Sequence, residues 1–258
     1  MDKSVLCSSD IQVHGCTDKG SVRPHNEDYY GHYIPTDANI RDKLGSLFAI
    51  SDGVGGYQAG EVASAEAVNV LLQEYYFSGH SEKVSERLKA AFQRASMHIY
   101  DLANSHSMLN NMQCTLSALL IRNEKFYIAH VGDSKIFLLR SNKLMQITKD
   151  HSLVGRLVRL GLVTPEAART HPNKNILLRA LGESPILLAD MYSGNTMPGD
   201  IFCLVTDGIL EHLEERELKE FLLVEGYESE KLNKLINIIN ERGGYDNMTI
   251  ITVKTDKW

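Results

Sequence analysis

Apolar and polar positions follow two different periods along this chain. "GEVASAEAVNVLLQEYYF", residues 60–77, sets Val62, Ala65, Val68, Leu71, Leu72 and Tyr75 at helical spacing. "SEKVSERLKAAFQRASMHIYDLA", residues 81–103, shows helical spacing again behind Ser81, which predicts two sequential, antiparallel helices. The pattern then changes. "CTLSALLIR", "KFYIAHVGD", "KIFLLR" and "KLMQIT" are short apolar runs separated by "NEK", "DS" and "SN", as in a β-meander. Upstream, "LFAIS" (47–51) ends at Asp52-Gly53 and predicts a buried strand running into a turn. "HSLVGRLVRLGLVTPEAARTH" (151–171) is helical by spacing, breaks at Gly161 and restarts at Thr164-Pro165, an N-cap and first helical position. "PILLADMYSG", "DIFCLVTDG" and "MTIITVKT" are strands; "EERELKEFLLVE" and "SEKLNKLINIINERG" are amphipathic helices, the second closed by glycine. Strands grouped apart from paired helices favour an antiparallel α+β layered fold over an alternating α/β one.

Composition narrows this picture. A chain of 258 residues that is 43% hydrophobic buries one sizeable core, and no Pro/Gly/Ser linker divides it, so residues 1–258 are expected to form a single domain. A formal net charge of −6 gives no support to a nucleic-acid or acidic-membrane surface. Cys7, Cys16, Cys114 and Cys203 contain no C-x-x-C pair and read as reduced thiols. The N-terminus has no apolar leader, and runs such as "ALLI" are too short to span a bilayer. The expectation is a cytoplasmic monomer with neither nucleic-acid nor membrane partner.

Candidate chemistry lies in acidic residues at strand ends. Asp52 in "AISDGVGG", Asp133 in "AHVGDSK", Asp207 in "LVTDGIL" and Asp246 in "GGYDNMT" share one context. One such aspartate alone is usually a turn residue bonding its own backbone. Four of them, with Glu27-Asp28, point further, because distant strand ends can meet at one rim of a sheet fold. Carboxylates gathered there repel one another unless cations sit among them. Oxygen donors without a His/Cys cluster suit Mg²⁺ or Mn²⁺. Two such ions form a clamp for phosphoryl chemistry. "SVRPHNEDYY" (21–30) then gains a purpose, since Arg23 can grip phosphate oxygens beside the acidic pair. A solvated turn is the plain alternative.

Seven segments, in order, resemble the metal-dependent protein serine/threonine phosphatases of type 2C, the PPM family, in its bacterial branch: "TDKGSVRPHNED", "LFAISDGVGGYQAGEVAS", "CTLSALLI", "AHVGDSKIFLL", "DHSLVGRLVRLGLVTPEAARTHPNKNILLRALG", "DIFCLVTDGI" and "GGYDNMTIITV". The resemblance covers roughly residues 12 to 254. It implies a central sandwich of two antiparallel β-sheets with helices on both outer faces, and a flap-like segment at about 152–182. It implies two Mn²⁺ or Mg²⁺ ions, bridged by Asp52 with the Gly53 carbonyl on one of them. Asp207 and Asp246 match ligands of the first ion, and Glu27 matches the residue reaching the second through water. Asp28 would orient the metal-bound water, Arg23 would bind the substrate phosphate, and Asn247 would support the Asp246 turn. Asp133, with Asp207, matches a third, weaker ion site. The implied reaction is hydrolysis of phosphoserine or phosphothreonine on protein substrates by a metal-bridging hydroxide, opposing a bacterial Ser/Thr kinase.

The chain departs from the family in places. Val54 stands where animal members carry a histidine proposed as general acid, Tyr57 follows Gly55-Gly56 where bacterial relatives often have histidine, Lys135 replaces a frequent arginine, and Glu211 stands where animal members place an aspartate. His25 is either a general acid or a surface-loop histidine. His151 and His171 read as structural, and Met108 and Met112 as packing. Arg156 and Arg159 share a helix face, as solvated charges or as contacts to a phosphoprotein. Two alternative functions stand beside the leading one. They are a phosphoprotein-binding regulator without turnover and a metal-dependent hydrolase of small phosphoesters.

Overall fold

The computed structural model describes residues 6–8, 11–54, 59–78, 81, 83–105, 107–224, 226 and 228–256. In chain order the elements are β1 (Leu6–Ser8), β2 (Ile11–Asp18), β3 (Asp28–Tyr33), α1 (Ala38–Leu44), β4 (Ser46–Val54), α2 (Ala59–Phe77), α3 (Val84–Ser105), β5 (Gln113–Cys114), β6 (Leu116–Arg122), β7 (Lys125–Val131), β8 (Lys135–Arg140), β9 (Lys143–Gln146), α4 (Leu153–Arg159), α5 (Pro165–Arg169), β10 (Asp190–Asn195), β11 (Ile201–Val205), α6 (Asp207–His212), α7 (Glu215–Leu223), α8 (Glu228–Glu241) and β12 (Met248–Thr255). One sheet runs β1-β2-β12-β11-β8-β9; the second runs β10-β7-β6-β4-β3, with β5 paired to β4. Every pairing is antiparallel.

The two sheets stack face to face with helices outside both, as the family resemblance implied. Strand alternation shows why. In β4, Phe48 and Ile50 enter the layer between the sheets with Leu204 and Ile251, while Leu47 and Ala49 face α2 and α3. In β8, Ile136 and Leu138 point between the sheets, and Phe137 and Leu139 pack with α6, α7 and α8. Both faces of each sheet are therefore covered. That explains why these antiparallel strands read as nearly continuous apolar runs rather than alternating ones. α2 and α3 are antiparallel: Glu66 meets His98 at one end of the pair, and Arg87 reaches the Tyr75 and Tyr76 carbonyls at the other.

Several sequence expectations need correction. The β6–β9 run is not one meander. β6-β7 and β8-β9 lie in different sheets, and the Gly132–Ser134 turn crosses between them. Gly132, at φ 110°, sits tight on Thr115, so a side chain there would be strained and crowded. β4 does not stop before Asp52 but continues to Val54, because Asp28 and β5 pair with its end. Of "PILLADMYSG", only the part from Asp190 is strand. The 81–103 helix starts at Val84, with the Ser81 hydroxyl accepting from Lys83 N. Met112 is fully buried, but Met108 is 90% exposed and is not a packing residue. α1 was not foreseen. Restart of the helix at Pro165 behind the Thr164 cap is observed. Among the described residues Cys16, Cys114 and Cys203 form no disulfide. Among the described residues no helix is long and apolar enough to cross a membrane.

Candidate metal and phosphate site

Strand register brings the first two carboxylates together. Asp28 opens β3 directly opposite Asp52 on β4. Gly53 N donates to Glu27 O at 3.0 Å, which ties the residue before Asp28 to the residue after Asp52. Position 53 admits only glycine, since a Cβ would lie 2.0 Å from Gly60 O. The start of α2 therefore presses directly on the strand end. Asp207 follows β11 as the first residue of α6, and Asp246 immediately precedes Asn247 and β12. β11 and β12 are neighbours in one sheet; β3 and β4 are neighbours in the other. Asp133 occupies the turn that crosses between the sheets.

Electrostatics shows that these groups converge. Burial pushes the Asp52 carboxyl well above its ordinary range, reinforced by the charges of Asp28, Asp207, Asp133 and Asp246. Asp207 is raised the same way, by burial and then by Asp133, Asp246, Glu211 and Asp28. Burial carries Asp28 to about 7 and Asp133 to about 6. Glu27 is also raised, chiefly by burial and against the pull of Arg23. Asp207, Glu211 and Asp246 each offer an oxygen, and the three oxygens lie within 4.8 Å of one another. Glu211 also meets the ammonium of Lys174, which lies between α5 and β10.

Asp28 is held by two groups that sequence reasoning missed. Its Oδ2 accepts from Thr206 Oγ1 at 2.8 Å and Thr249 Oγ1 at 2.7 Å. Its buried Oδ1 has no hydrogen-bond partner among the described residues. Thr115 supports Asp52 in a similar way, its hydroxyl accepting from Asp52 N at 2.9 Å. The only trace of these threonines in the sequence is adjacency: Thr206 precedes Asp207, and Thr249 follows "DNM".

Asn247 does more than support the Asp246 turn. Its N–H donates to Asp246 Oδ1 at 2.8 Å, its Oδ1 accepts from Glu27 N at 2.8 Å, and its Nδ2 donates to the carbonyls of Lys19 and His25. One side chain thus straps the Arg23 loop to the start of β12. Arg23 Nη2 lies 2.7 Å from Asp246 Oδ2, and its side chain is 44% exposed. A guanidinium carries donors beyond that single contact, so it can hold Asp246 and still present N–H groups outward. His25 is exposed; its backbone carbonyl accepts from Asn247 Nδ2, and its side chain acts on Glu27 through charge. His151 is buried, its Nδ1 accepting from Gly132 N at 3.2 Å, which suits a structural role. Gly55, Gly56 and Tyr57 fall outside the described residues.

These donors fit hard divalent cations. All are carboxylates apart from the Gly53 carbonyl, one buried carboxylate oxygen is unpartnered among the described residues, and burial with mutual repulsion makes the uncompensated cluster costly.

The protein phosphatase 2C family model matches residues 14–155. The serine/threonine phosphatase stp of Listeria monocytogenes is 36% identical over 243 residues, covering 93% of this chain and 94% of that protein. The crystal structure of the Mycobacterium tuberculosis serine/threonine phosphatase PstP/Ppp matches with a TM-score of 0.83 at 29% identity, covering 96% of this chain and all of that one. A PstP catalytic domain in complex with two manganese ions matches with a TM-score of 0.82 at 28% identity, over 96% and 99% of the two chains. The family match spans more than half of the sequence and includes the strands that bring Asp28 and Asp52 together, and on that ground the chain belongs to the protein phosphatase 2C family.

Proposed function

We propose that this protein is a metal-dependent protein phosphatase that hydrolyses phosphoserine and phosphothreonine monoesters on protein substrates. The observation carrying this reading is the convergence of Asp28, Asp52, Asp133, Asp207 and Asp246 from both sheets, each of the first four raised by burial. Asp52, Gly53, Asp207 and Asp246, with Glu27 through water, would hold two Mg²⁺ or Mn²⁺ ions; Asp133 with Asp207 would hold a third, weaker one. When bound, the ions would activate water for attack on phosphorus and draw charge from the phosphate oxygens. Arg23 grips the equatorial phosphate oxygens while Asp246 and the Asn247 strap keep it in place. Asp28, fixed through Oδ2 by Thr206 and Thr249, keeps Oδ1 free to accept a hydrogen bond from the attacking water.

Residues 1–258 act as one catalytic domain with a flap at about 152–182. The protein works as a cytoplasmic monomer that opposes a Ser/Thr kinase. Hydrolysis of a phosphothreonine peptide under Mn²⁺ titration tests the reading. Release of phosphate should require Mn²⁺, stop with EDTA, and fall by orders of magnitude in Asp207→Asn while the fold persists. Mn²⁺ binding without turnover would favour a silent phosphoprotein-binding regulator. Far more efficient turnover of p-nitrophenyl phosphate or nucleotides would favour a small-ester hydrolase.

A further inference from the structure

A second polar feature lies outside the carboxylate centre. A cleft of about 560 Å³ is lined by His151, Arg156, Arg159, Leu160, Leu178 and Arg179. Its charge is uneven. Arg156 and Arg159 are exposed on α4. Arg159 is braced by donating to the Asp150 carbonyl at 2.8 Å, and Arg179 by Asp190 Oδ1 at 2.8 Å and the Leu188 carbonyl at 3.1 Å. The Asp150 carboxylate is engaged by Lys135 at 2.6 Å and Gln146 at 2.8 Å. Asp190 is engaged by Arg179 and by His151 Nε2 at 3.2 Å, and the guanidinium of Arg159 meets a backbone carbonyl rather than a carboxylate. Braced guanidiniums keep donors to spare and lose less freedom on binding an anion. Leu160 and Leu178, 61% and 40% exposed, add apolar wall. The cleft is basic in a chain whose net charge is −6, so an anion meets local attraction here against general repulsion.

Its position ties it to the catalytic rim. His151 N donates to Gly132 O at 2.7 Å, and Gly132 N donates back to His151 Nδ1. Gly132 precedes Asp133. The back wall of the cleft is thus fastened to the turn that carries one of the converging carboxylates. Cleft and carboxylate centre thus share the Gly132–Asp133 turn, and one extended substrate chain is the ligand that would engage both.

We propose that this cleft is a docking subsite for an acidic stretch of the substrate protein, bound while the phosphorylated residue occupies the carboxylate centre. The proposal rests on the phosphatase reading and adds the substrate class, phosphoproteins with glutamates or aspartates near the phosphoresidue. Carboxylates paired bidentately with Arg156 and Arg159 supply the specificity.

The test uses the full chain with Mn²⁺. Phosphothreonine peptides flanked by glutamate, glutamine or lysine are compared with p-nitrophenyl phosphate, in the wild type and in Arg156→Glu and Arg159→Glu. The wild type should favour the glutamate peptide. Each reversal should lower its kcat/KM about threefold to tenfold, as expected for exposed but well-oriented charge pairs, and should leave p-nitrophenyl phosphate within about twofold. A non-phosphorylated glutamate peptide should bind Asp207→Asn as tightly as the wild type by fluorescence anisotropy, and both reversals should weaken it. Unchanged peptide preference after both reversals overturns the proposal. So does full displacement of the glutamate peptide by inorganic phosphate at matched charge, which would make the cleft a phosphate site. Absence of all turnover, with acidic-peptide binding intact, would instead refute the phosphatase reading and leave the docking site standing.

Discussion

Replacing Asp28 by asparagine isolates the electrostatic cost of the carboxylate cluster. Asp28 is 6% exposed, and its pKa rises from an ordinary 3.8 to about 7. Burial is the main cause; the Thr249 and Thr206 hydroxyls oppose it, and Asp246 and Glu27 add to it. At about 1.36 kcal/mol per pKa unit, holding this group ionised above pH 7 costs the metal-free fold about 4 kcal/mol. The sign follows from proton linkage. Between roughly pH 4 and 7 the folded state binds more protons at this site than the unfolded state, so stability falls as pH rises. The substituted asparagine carries no such penalty. Its amide N–H does bring a burial cost of about 1–3 kcal/mol if left unsatisfied. That cost is independent of pH and cancels in a difference between two pH values.

The expected outcome is therefore a double difference. In EDTA, the stability of Asp28→Asn relative to the wild type should improve by about 3–4 kcal/mol between pH 4.5 and pH 8. For a chain of this size that corresponds to roughly 6–16 °C in relative Tm. Thermal unfolding followed by circular dichroism at the two pH values measures it. Saturating Mn²⁺ should narrow the gap, because a divalent ion then compensates the charge. A Tm difference that is the same at both pH values would refute the reasoning, since Asp28 would then not be titrating against its neighbours.

Two further perturbations probe the same centre. Arg23→Ala should raise KM for a phosphopeptide about tenfold with a smaller fall in kcat, because it removes phosphate binding rather than water activation; steady-state kinetics with unchanged KM would count against Arg23 as the anchor. Thr206→Val removes one of two hydroxyls on Asp28 Oδ2 and should cost the metal-free protein about 1–3 kcal/mol at pH 8, where the carboxylate needs both donors, and less at pH 4.5; urea unfolding at both pH values checks it.

Much of the fold was legible, and the failures have common causes. α2, α3, α7 and α8 follow directly from helical spacing, because each buries one stripe against a sheet. β2 and β3 escaped notice. "IQVHGCTD" and "DYYGHY" mix polar residues and glycine into half-buried strands, and neither forms a clear apolar run. The false meander arose because local spacing reports which segments are strands but not which sheet they join. Nothing in "HVGDSK" announces a crossing between layers. Candidate site residues were visible as acidic strand ends, whereas their supports were not. Thr115, Thr206 and Thr249 are ordinary strand residues by pattern, and only their contacts mark them out. The Arg23 contact to Asp246, over two hundred residues away in sequence, was equally invisible.

The same architecture explains why such a costly cluster can persist. Asp28 and Asp52 lie on one sheet, Asp207 and Asp246 beside the other. The rim where they meet is thus set by how the sheets stack. That stacking is fixed by fully buried groups between the sheets, among them Phe48, Ile50, Phe202 and Leu204, while close backbone contacts at Gly53 against Gly60 and at Gly208 against Asn247 seat a helix start on its own sheet beside the rim. The carboxylates cannot relax apart without opening that layer. A penalty of about 4 kcal/mol for one of them is a large share of a typical domain's net stability of about 5–15 kcal/mol. Protons can relieve the strain at low pH, and divalent cations can relieve it at neutral pH. Both bind through the same charge, so ion loading should release protons, and the preference of this fold for metal at neutral pH follows from the packing that holds its acidic residues together.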